Sequence, residues 1–117
     1  MTNAQDQAAA NKETVRRIFE VVLPDPDASA EFEDLVADDF VDHDAAVPDH
    51  AHGVDSLRAT HADLHERWPG NVRFSIDEMI AEDDLVAMRW SAGPAEAMVW
   101  FRLRDGKLTD RWAMVRR

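Results

Sequence analysis

Residues 85–116 read LVAMRWSAGPAEAMVWFRLRDGKLTDRWAMVR, a run in which apolar and polar residues alternate. Alternation with a period of two is typical of strands that bury one face. Gly93-Pro94 breaks the run once, and Asp105-Gly106 breaks it again with a strong two-residue hairpin signal. The run therefore predicts three consecutive antiparallel strands, Leu85–Ala92, Glu96–Arg104 and Lys107–Arg116.

The residues before this run predict three helices and two further strands, because apolar residues recur there at helical or at strand spacing. The predicted elements are a helix that starts at Asn3 or Asp6 and ends before Pro24, a short helix around Phe32–Val36, a brief strand Phe40–His43, a helix Gly53–Arg67 and a strand Val72–Ala81. Helices followed by a meander of strands predict an α+β fold, in which three N-terminal helices pack on one face of a curved antiparallel sheet.

The charge of the chain is strongly negative and unevenly distributed. The net charge is −11, and residues 1–50 contribute 13 acidic against 3 basic residues, whereas residues 51–117 are nearly balanced. A surface this acidic repels phosphate backbones and anionic lipids. Nucleic acid and membrane are therefore excluded as expected partners.

Length and composition predict a single domain over residues 1–117, large enough to bury a core. The chain has no cysteine, which leaves neither disulfides nor thiolate chemistry. No apolar run approaches the ~18 residues of a membrane span. The N-terminus lacks the basic and apolar regions of a signal peptide, which predicts a cytoplasmic location.

Strand alternation also predicts which side chains share a face of the sheet. Val86, Met88 and Trp90 are expected on one face of their strand. On the last strand, the shared face is expected to carry Leu108, Asp110, Trp112, Met114 and Arg116. Because this last set mixes apolar and polar residues, it is predicted to form a cavity wall rather than a dry core.

The chain as a whole resembles the SnoaL-like polyketide cyclase group of the nuclear transport factor 2-like superfamily. The resembling segments are Asn11–Val22, Asp39-Phe40-Val41-Asp42-His43, Gly53, Trp68-Pro69, 80–87, Arg89-Trp90, and 101–108 leading to Trp112. Their order and spacing carry the resemblance, since no single segment is specific. It implies a cone-like α+β barrel with a deep apolar pocket, cofactor-free chemistry on a small hydrophobic molecule, and a homodimer formed through the outer sheet face.

Two departures from the family pattern bear on activity. Relatives of the cyclases usually carry an acidic residue four positions after the tryptophan that matches Trp112, and here that position is Arg116. The segment between Trp90 and Phe101 is also short. These departures predict a smaller or more open cavity and leave the aldol cyclisation of the family without its usual carboxylate.

His43 is the first candidate catalytic residue, because an imidazole titrates near neutral pH and can exchange a proton with a ligand. The alternative is a structural histidine that anchors the following loop. Asp110 is the second candidate, as a general base that replaces the missing carboxylate. Its alternative role is a solvated acid near a hairpin.

The predicted ligand-binding residues are His61, Trp90, Trp112, Met88 and Arg116. His61 lies in the apolar stripe of the third helix, and its alternative role is that of a buried core histidine. Arg116 could stabilise an oxyanion of the ligand, or it could be a frayed residue at the end of the last strand. A metal site is a further option, because His61 and His65 are four residues apart and His50 and His52 lie nearby in the sequence. The spacing matches no established metal motif, so no metal and no cofactor are predicted.

Two functions follow from these residues. The first is a pocket protein that binds or converts a small hydrophobic carbonyl or cyclic compound by acid–base chemistry, as a cyclase, isomerase or dehydratase. The second is a non-catalytic ligand-binding or dimerisation module of the same fold. A cavity large enough for a ligand favours the first function, whereas a pocket filled by Met88, Trp100 and Met114 favours the second.

Overall fold

The computed structural model describes residues 4–45, 49, 51–69 and 72–116. Within these residues the helical elements are α1 (Ala4–Arg17) continued by a π-helical turn (Ile18–Val22), a 3₁₀ turn (Ser29–Glu31), α2 (Phe32–Leu35) and α3 (Gly53–Arg67). The strands are β1 (Val36–Asp42), β2 (Ser75–Glu82), β3 (Leu85–Ala92), β4 (Ala95–Arg104) and β5 (Lys107–Arg116). None of the helices in the described part of the chain is long and apolar enough to cross a bilayer.

The five strands form one curved, unclosed sheet in the order β1-β5-β4-β3-β2. The predicted antiparallel meander from β2 to β5 is confirmed. The predicted α+β fold, with helices packed on a curved sheet, is confirmed. The sheet is mixed rather than purely antiparallel, because β1 pairs with β5 in parallel. Alternation identifies a strand but does not identify the strand it pairs with. A parallel pair requires a long connection, and here that connection contains α3 and the strands β2, β3 and β4.

Tight turns fix the register of the meander. At the β4–β5 hairpin, Asp105 and Gly106 both have positive φ, 52° and 79°, as the favoured two-residue hairpin turn requires. At the β2–β3 hairpin Asp83 also has a positive φ of 53°, and its carbonyl accepts a hydrogen bond from the buried Asn11 side chain of α1 (3.4 Å). The hairpins therefore hold the sheet in register, and Asn11 ties one of them to the helices.

The core lies between the concave face of the sheet and the helices. Fully buried side chains from both layers meet there, among them Val15, Val22, Phe32, Phe40, Val99 and Leu108. The opposite, convex face remains partly apolar, since Ile80 and Met114 are each 70% exposed and Met98 is 50% exposed. We call this convex surface the outer sheet face.

A β-bulge in β5 reverses the faces that alternation predicts. Leu108 pairs with Leu103, but Asp110 already pairs with Arg102, so Thr109 is an extra residue on β5. An extra residue shifts every following side chain to the opposite face. The prediction that Leu108 shares a face with Asp110, Trp112, Met114 and Arg116 is therefore wrong. Leu108 faces the core, and the other four residues lie on the opposite face of the sheet.

Candidate functional site

A cavity of about 370 Å³ opens between α3, the π-helical turn and the concave face of the sheet. Its volume falls within the range of about 300–1,000 Å³ that small-molecule sites occupy. Most of the lining is apolar and includes Leu23, Leu57, Leu64, Phe74, Phe101 and Leu108. The cavity is not filled by Met88, Trp100 and Met114, none of which belongs to its lining.

The helix α3 gives the cavity a polar edge. Thr60, Asp63, Leu64 and Arg67 all line the cavity, and their spacing places them on one side of the helix. Arg67 Nε lies 3.0 Å from Asp63 Oδ2, and 54% of the Arg67 side chain is exposed. This ion pair therefore stands where the cavity meets solvent, and Asp63 is the carboxylate that lines the cavity among the described residues.

A buried ion pair lies at the sheet side of the cavity. Arg111 lines the cavity, and its Nη1 lies 3.0 and 3.1 Å from the two carboxylate oxygens of Asp42. The Asp42 side chain is fully buried, and only 13% of the Arg111 side chain is exposed. Arg111 Nη1 also donates to the carbonyl of Asp44 at 3.3 Å. The strand end at Asp42 therefore holds the guanidinium in a fixed position.

The bulge explains why a charged side chain occupies the core face of β5. Arg111 is paired in register with Phe101, and Ala113 is paired with Val99. Phe101 and Val99 are buried core residues, and directly opposed residues in a sheet share a face. The Arg111 side chain therefore enters the apolar interior, where Asp42 provides the opposite charge that a buried cation needs.

The structure brings His43, Asp110 and Trp112 together, but none of them lines the cavity. His43 Nε2 lies 3.0 Å from Asp110 Oδ2, and its ring stacks on Trp112 with centroids 4.6 Å apart. Arg102 lies over the Trp112 ring at 5.8 Å. This cluster occupies the outer sheet face, with 38% of the His43 side chain and 25% of the Asp110 side chain exposed.

The environment of Asp110 shifts its acidity. Partial burial acts to raise the pKa of the Asp110 carboxyl, but hydrogen bonds from His43 and Thr109, together with the nearby charges of His43 and Arg102, lower it below its ordinary value. Hydrogen bonds to the charged form of an acid favour that form. Asp110 is therefore held as a carboxylate, which is suited to orienting His43.

His61 and His65 bind the backbone of the segment that follows the π-helical turn. His61 Nε2 lies 2.8 Å from the carbonyl oxygen of Asp25, and His65 Nε2 lies 2.7 Å from that of Leu23. A carbonyl only accepts, so both nitrogens carry hydrogen. His61 does not line the cavity; it is buried and packs against Phe32.

The remaining predicted site residues are separated from one another. Trp90 lines the cavity, and its buried indole N–H has no partner within the described residues. Met88 belongs to the core cluster. Arg116 lies at the end of β5, where it pairs with Glu96. Of the histidines considered for a metal, His50 lies outside the described residues, and no group of metal-ligating side chains occurs within them.

The sequence predictions missed Arg111, Asp63 and Arg67 as cavity residues. For the two α3 residues a signal existed, since the stripe that contains Leu57 and Leu64 extends through Thr60, at helical spacings of three and four, to Asp63 and Arg67. For Arg111 no local signal exists, because alternation from Leu108 places it on the wrong face. Asp42 was named only as part of the resembling segment that ends at His43, and adjacent strand residues point to opposite faces.

Comparison with known proteins assigns the chain to a recognised family. The sequence model of the SnoaL-like domain matches residues 15–111, so the chain belongs to the SnoaL-like domain family. No curated protein matches the sequence.

Solved structures share the fold at low sequence identity. A candidate polyketide cyclase from Bacillus cereus superposes with a TM-score of 0.81 at 18% identity, covering 97% of this chain and 78% of its own. An NTF2-like protein from Anabaena variabilis gives a TM-score of 0.76 at 14% identity, covering 100% and 95%. A candidate ketosteroid isomerase from Kribbella flavida gives 0.67 at 16% identity, covering 95% and 81%. At these identities the likeness concerns the fold alone.

Proposed function

We propose that the protein binds a small hydrophobic carbonyl or cyclic compound in the cavity beneath α3 and catalyses a proton transfer on it. The observation that carries this proposal is the cavity itself, which is of ligand size, mostly apolar, and bordered by a few fixed polar groups. That combination is typical of small-molecule sites. A candidate polyketide cyclase and a candidate ketosteroid isomerase share the fold, which makes cyclic carbonyl compounds the first ligands to test.

The proton transfer is assigned to Asp63. Its carboxylate lines the cavity and is held by Arg67 at 3.0 Å, so it is positioned to act on a bound molecule as a general base. In the step, the bond between the carbon next to the carbonyl and its hydrogen breaks. The proton passes to Asp63, and the electron pair moves to the carbonyl oxygen. The proton then returns to a carbon of the same molecule.

The predicted catalytic pair His43 and Asp110 is not used in this proposal. The two side chains are well placed to exchange a proton with each other, but they lie on the outer sheet face and do not line the cavity. A reaction at His43 would therefore require a ligand that binds on the outer sheet face.

Filling the cavity is expected to weaken ligand binding. Leu64 lines the cavity, and Leu64→Trp is expected to reduce the affinity for the neutral dye Nile red at least about tenfold, because the indole occupies the volume the dye needs. Fluorescence titration measures this. Ala62→Trp is the matched control, since Ala62 is exposed on the same helix. Equal affinity of both variants and the wild type would show that the dye does not occupy the cavity.

A homodimer through the outer sheet face is the second proposal. Ile80, Met98 and Met114 are exposed there, and the arginines between them are paired with acids, as in Arg89–Glu78 and Arg102–Asp84. This face is thus apolar and charge-balanced on a chain whose net charge is −11. A second copy can therefore approach it without strong repulsion, and burying such residues favours association.

The double variant Met98→Glu/Met114→Glu is expected to be monomeric, because it places like charges in the contact between two copies. Light scattering after size-exclusion chromatography measures the mass. Val21→Glu is the control, since Val21 is also an exposed apolar residue (46%) but lies on the π-helical turn. A monomeric wild-type protein would contradict the proposal outright.

A further inference from the structure

Arg111 is a cation fixed inside an apolar cavity. It lines the cavity together with Phe101 and Leu108, and only 13% of its side chain is exposed. Nη1 is occupied, because it contacts both oxygens of Asp42 and the carbonyl of Asp44. The guanidinium is therefore already immobilised before any ligand arrives, which reduces the entropy that binding must overcome.

The other edge of the same guanidinium is unused. Nε and Nη2 have no hydrogen-bond acceptor among residues 4–45, 49, 51–69 and 72–116. This edge presents two parallel N–H bonds in a planar fork, the geometry that matches the two oxygens of a carboxylate. Because only Nη1 of Arg111 is hydrogen-bonded within the described part of the chain, the edge that can bind a carboxylate through two hydrogen bonds remains available.

The charges around the cavity leave this role to Arg111. The other cavity arginine, Arg67, is paired with Asp63 and more than half exposed. Asp42 neutralises Arg111 from the Nη1 side, so an anion at the Nε–Nη2 edge lies closer to the guanidinium than to the Asp42 carboxylate. The surrounding lining is mostly apolar, and a low local dielectric strengthens a charge-assisted hydrogen bond made there.

We propose that the ligand of this cavity is a small apolar carboxylate, an aromatic or alicyclic carboxylic acid whose two oxygens bind the Nε–Nη2 edge of Arg111. The apolar body of the ligand lies against Leu57, Leu64 and Phe74 on the opposite wall. This inference rests on the proposed function, because it assumes that the cavity binds a small hydrophobic molecule. It adds that the molecule also carries a carboxylate, which Arg111 recognises, besides the carbonyl group on which Asp63 acts.

Three ligands of nearly equal shape test the inference on the wild-type protein: 2-naphthoate, 2-acetonaphthone and 2-ethylnaphthalene, compared by fluorescence titration at pH 7. The naphthoate is expected to bind at least about tenfold more tightly than the other two, as a bidentate charge-assisted bond predicts. Equal affinity for all three, or a preference for the ketone, overturns the inference and leaves the proposed function standing. If none of the three binds, both fail.

Two double variants test whether Arg111 causes the preference for the naphthoate. Asp42→Asn/Arg111→Gln removes both buried charges together, which avoids an unpaired buried ion, and is expected to abolish the preference for the naphthoate. Asp39→Asn/Arg104→Gln is the matched control, because that pair also joins β1 to the sheet through two contacts, at 2.8 and 3.2 Å, but is exposed. A preference that survives in the first variant overturns the assignment to Arg111. If that variant does not fold, the three-ligand comparison still decides.

Discussion

Asp42→Ala is expected to lower the free energy of unfolding by about 3–5 kcal/mol, since it leaves the buried Arg111 without its counter-charge. The Asp42 side chain is fully buried and contacts Arg111 through both oxygens. It also accepts a hydrogen bond from the backbone N–H of Asp44 at 3.1 Å, so the same substitution loosens the end of β1. Urea denaturation followed by circular dichroism measures the change.

Asp39→Ala is the control for this prediction. Asp39 also makes a two-contact ion pair with an arginine, Arg104, but 63% of the Asp39 side chain is exposed, and exposed ion pairs contribute little to stability. The double variant Asp42→Ala/Arg111→Met is expected to recover part of the loss, because it removes the unpaired charge. Similar losses for Asp39→Ala and Asp42→Ala would contradict the account of the buried pair.

Asp63→Asn is expected to slow proton transfer in the cavity by about a hundredfold or more, the usual contribution of a general base. An amide cannot take the proton from the carbon next to a carbonyl, although it keeps nearly the size of the carboxyl group. The measurement is the exchange of the α-protons of β-tetralone with solvent deuterium, followed by NMR. β-Tetralone is a suitable probe because it is a small apolar ketone with acidic C–H bonds.

Two further variants separate the competing sites. Asp55→Asn is the matched control on the same helix, because the Asp55 side chain is 82% exposed and does not line the cavity. His43→Ala removes the first residue that the sequence suggested. Wild-type exchange in Asp63→Asn together with slow exchange in His43→Ala would transfer the chemistry to the outer sheet face and refute the role of Asp63.

Local patterns predicted the elements of this fold well, because they depend on neighbouring residues. Gly53–Arg67 is a helix over the predicted span, and Leu85–Ala92 and Lys107–Arg116 are strands over theirs. Gly53 was singled out by resemblance, and its φ of +68° is one that glycine adopts readily. These features depend only on residues that are close in the sequence, namely helical or strand spacing, turn residues and glycines. They can therefore be predicted from the sequence alone.

What the sequence did not reveal depends on contacts between distant segments. The pairing of β1 with β5 joins Val36 to Leu108, and no local pattern specifies such a partner. The bulge at Thr109 arises because β5 has one residue more than the matching stretch of β4. It is therefore defined only by the pairing of the two strands. The ion pair of Asp42 with Arg111 depends on both of these features, which is why the buried cation of the cavity was missed.

The bulge at Thr109 decides which chemistry β5 presents to the cavity. If Thr109 paired regularly opposite Arg102, alternation would turn Arg111 toward solvent and Asp110 and Trp112 toward the cavity. With Thr109 as an extra residue, Leu108 pairs with Leu103 and Arg111 with Phe101, so both face inward although they are three residues apart. One unchanged sequence thus has two possible pairings with opposite interiors, and the bulge selects the one that places a cation inside.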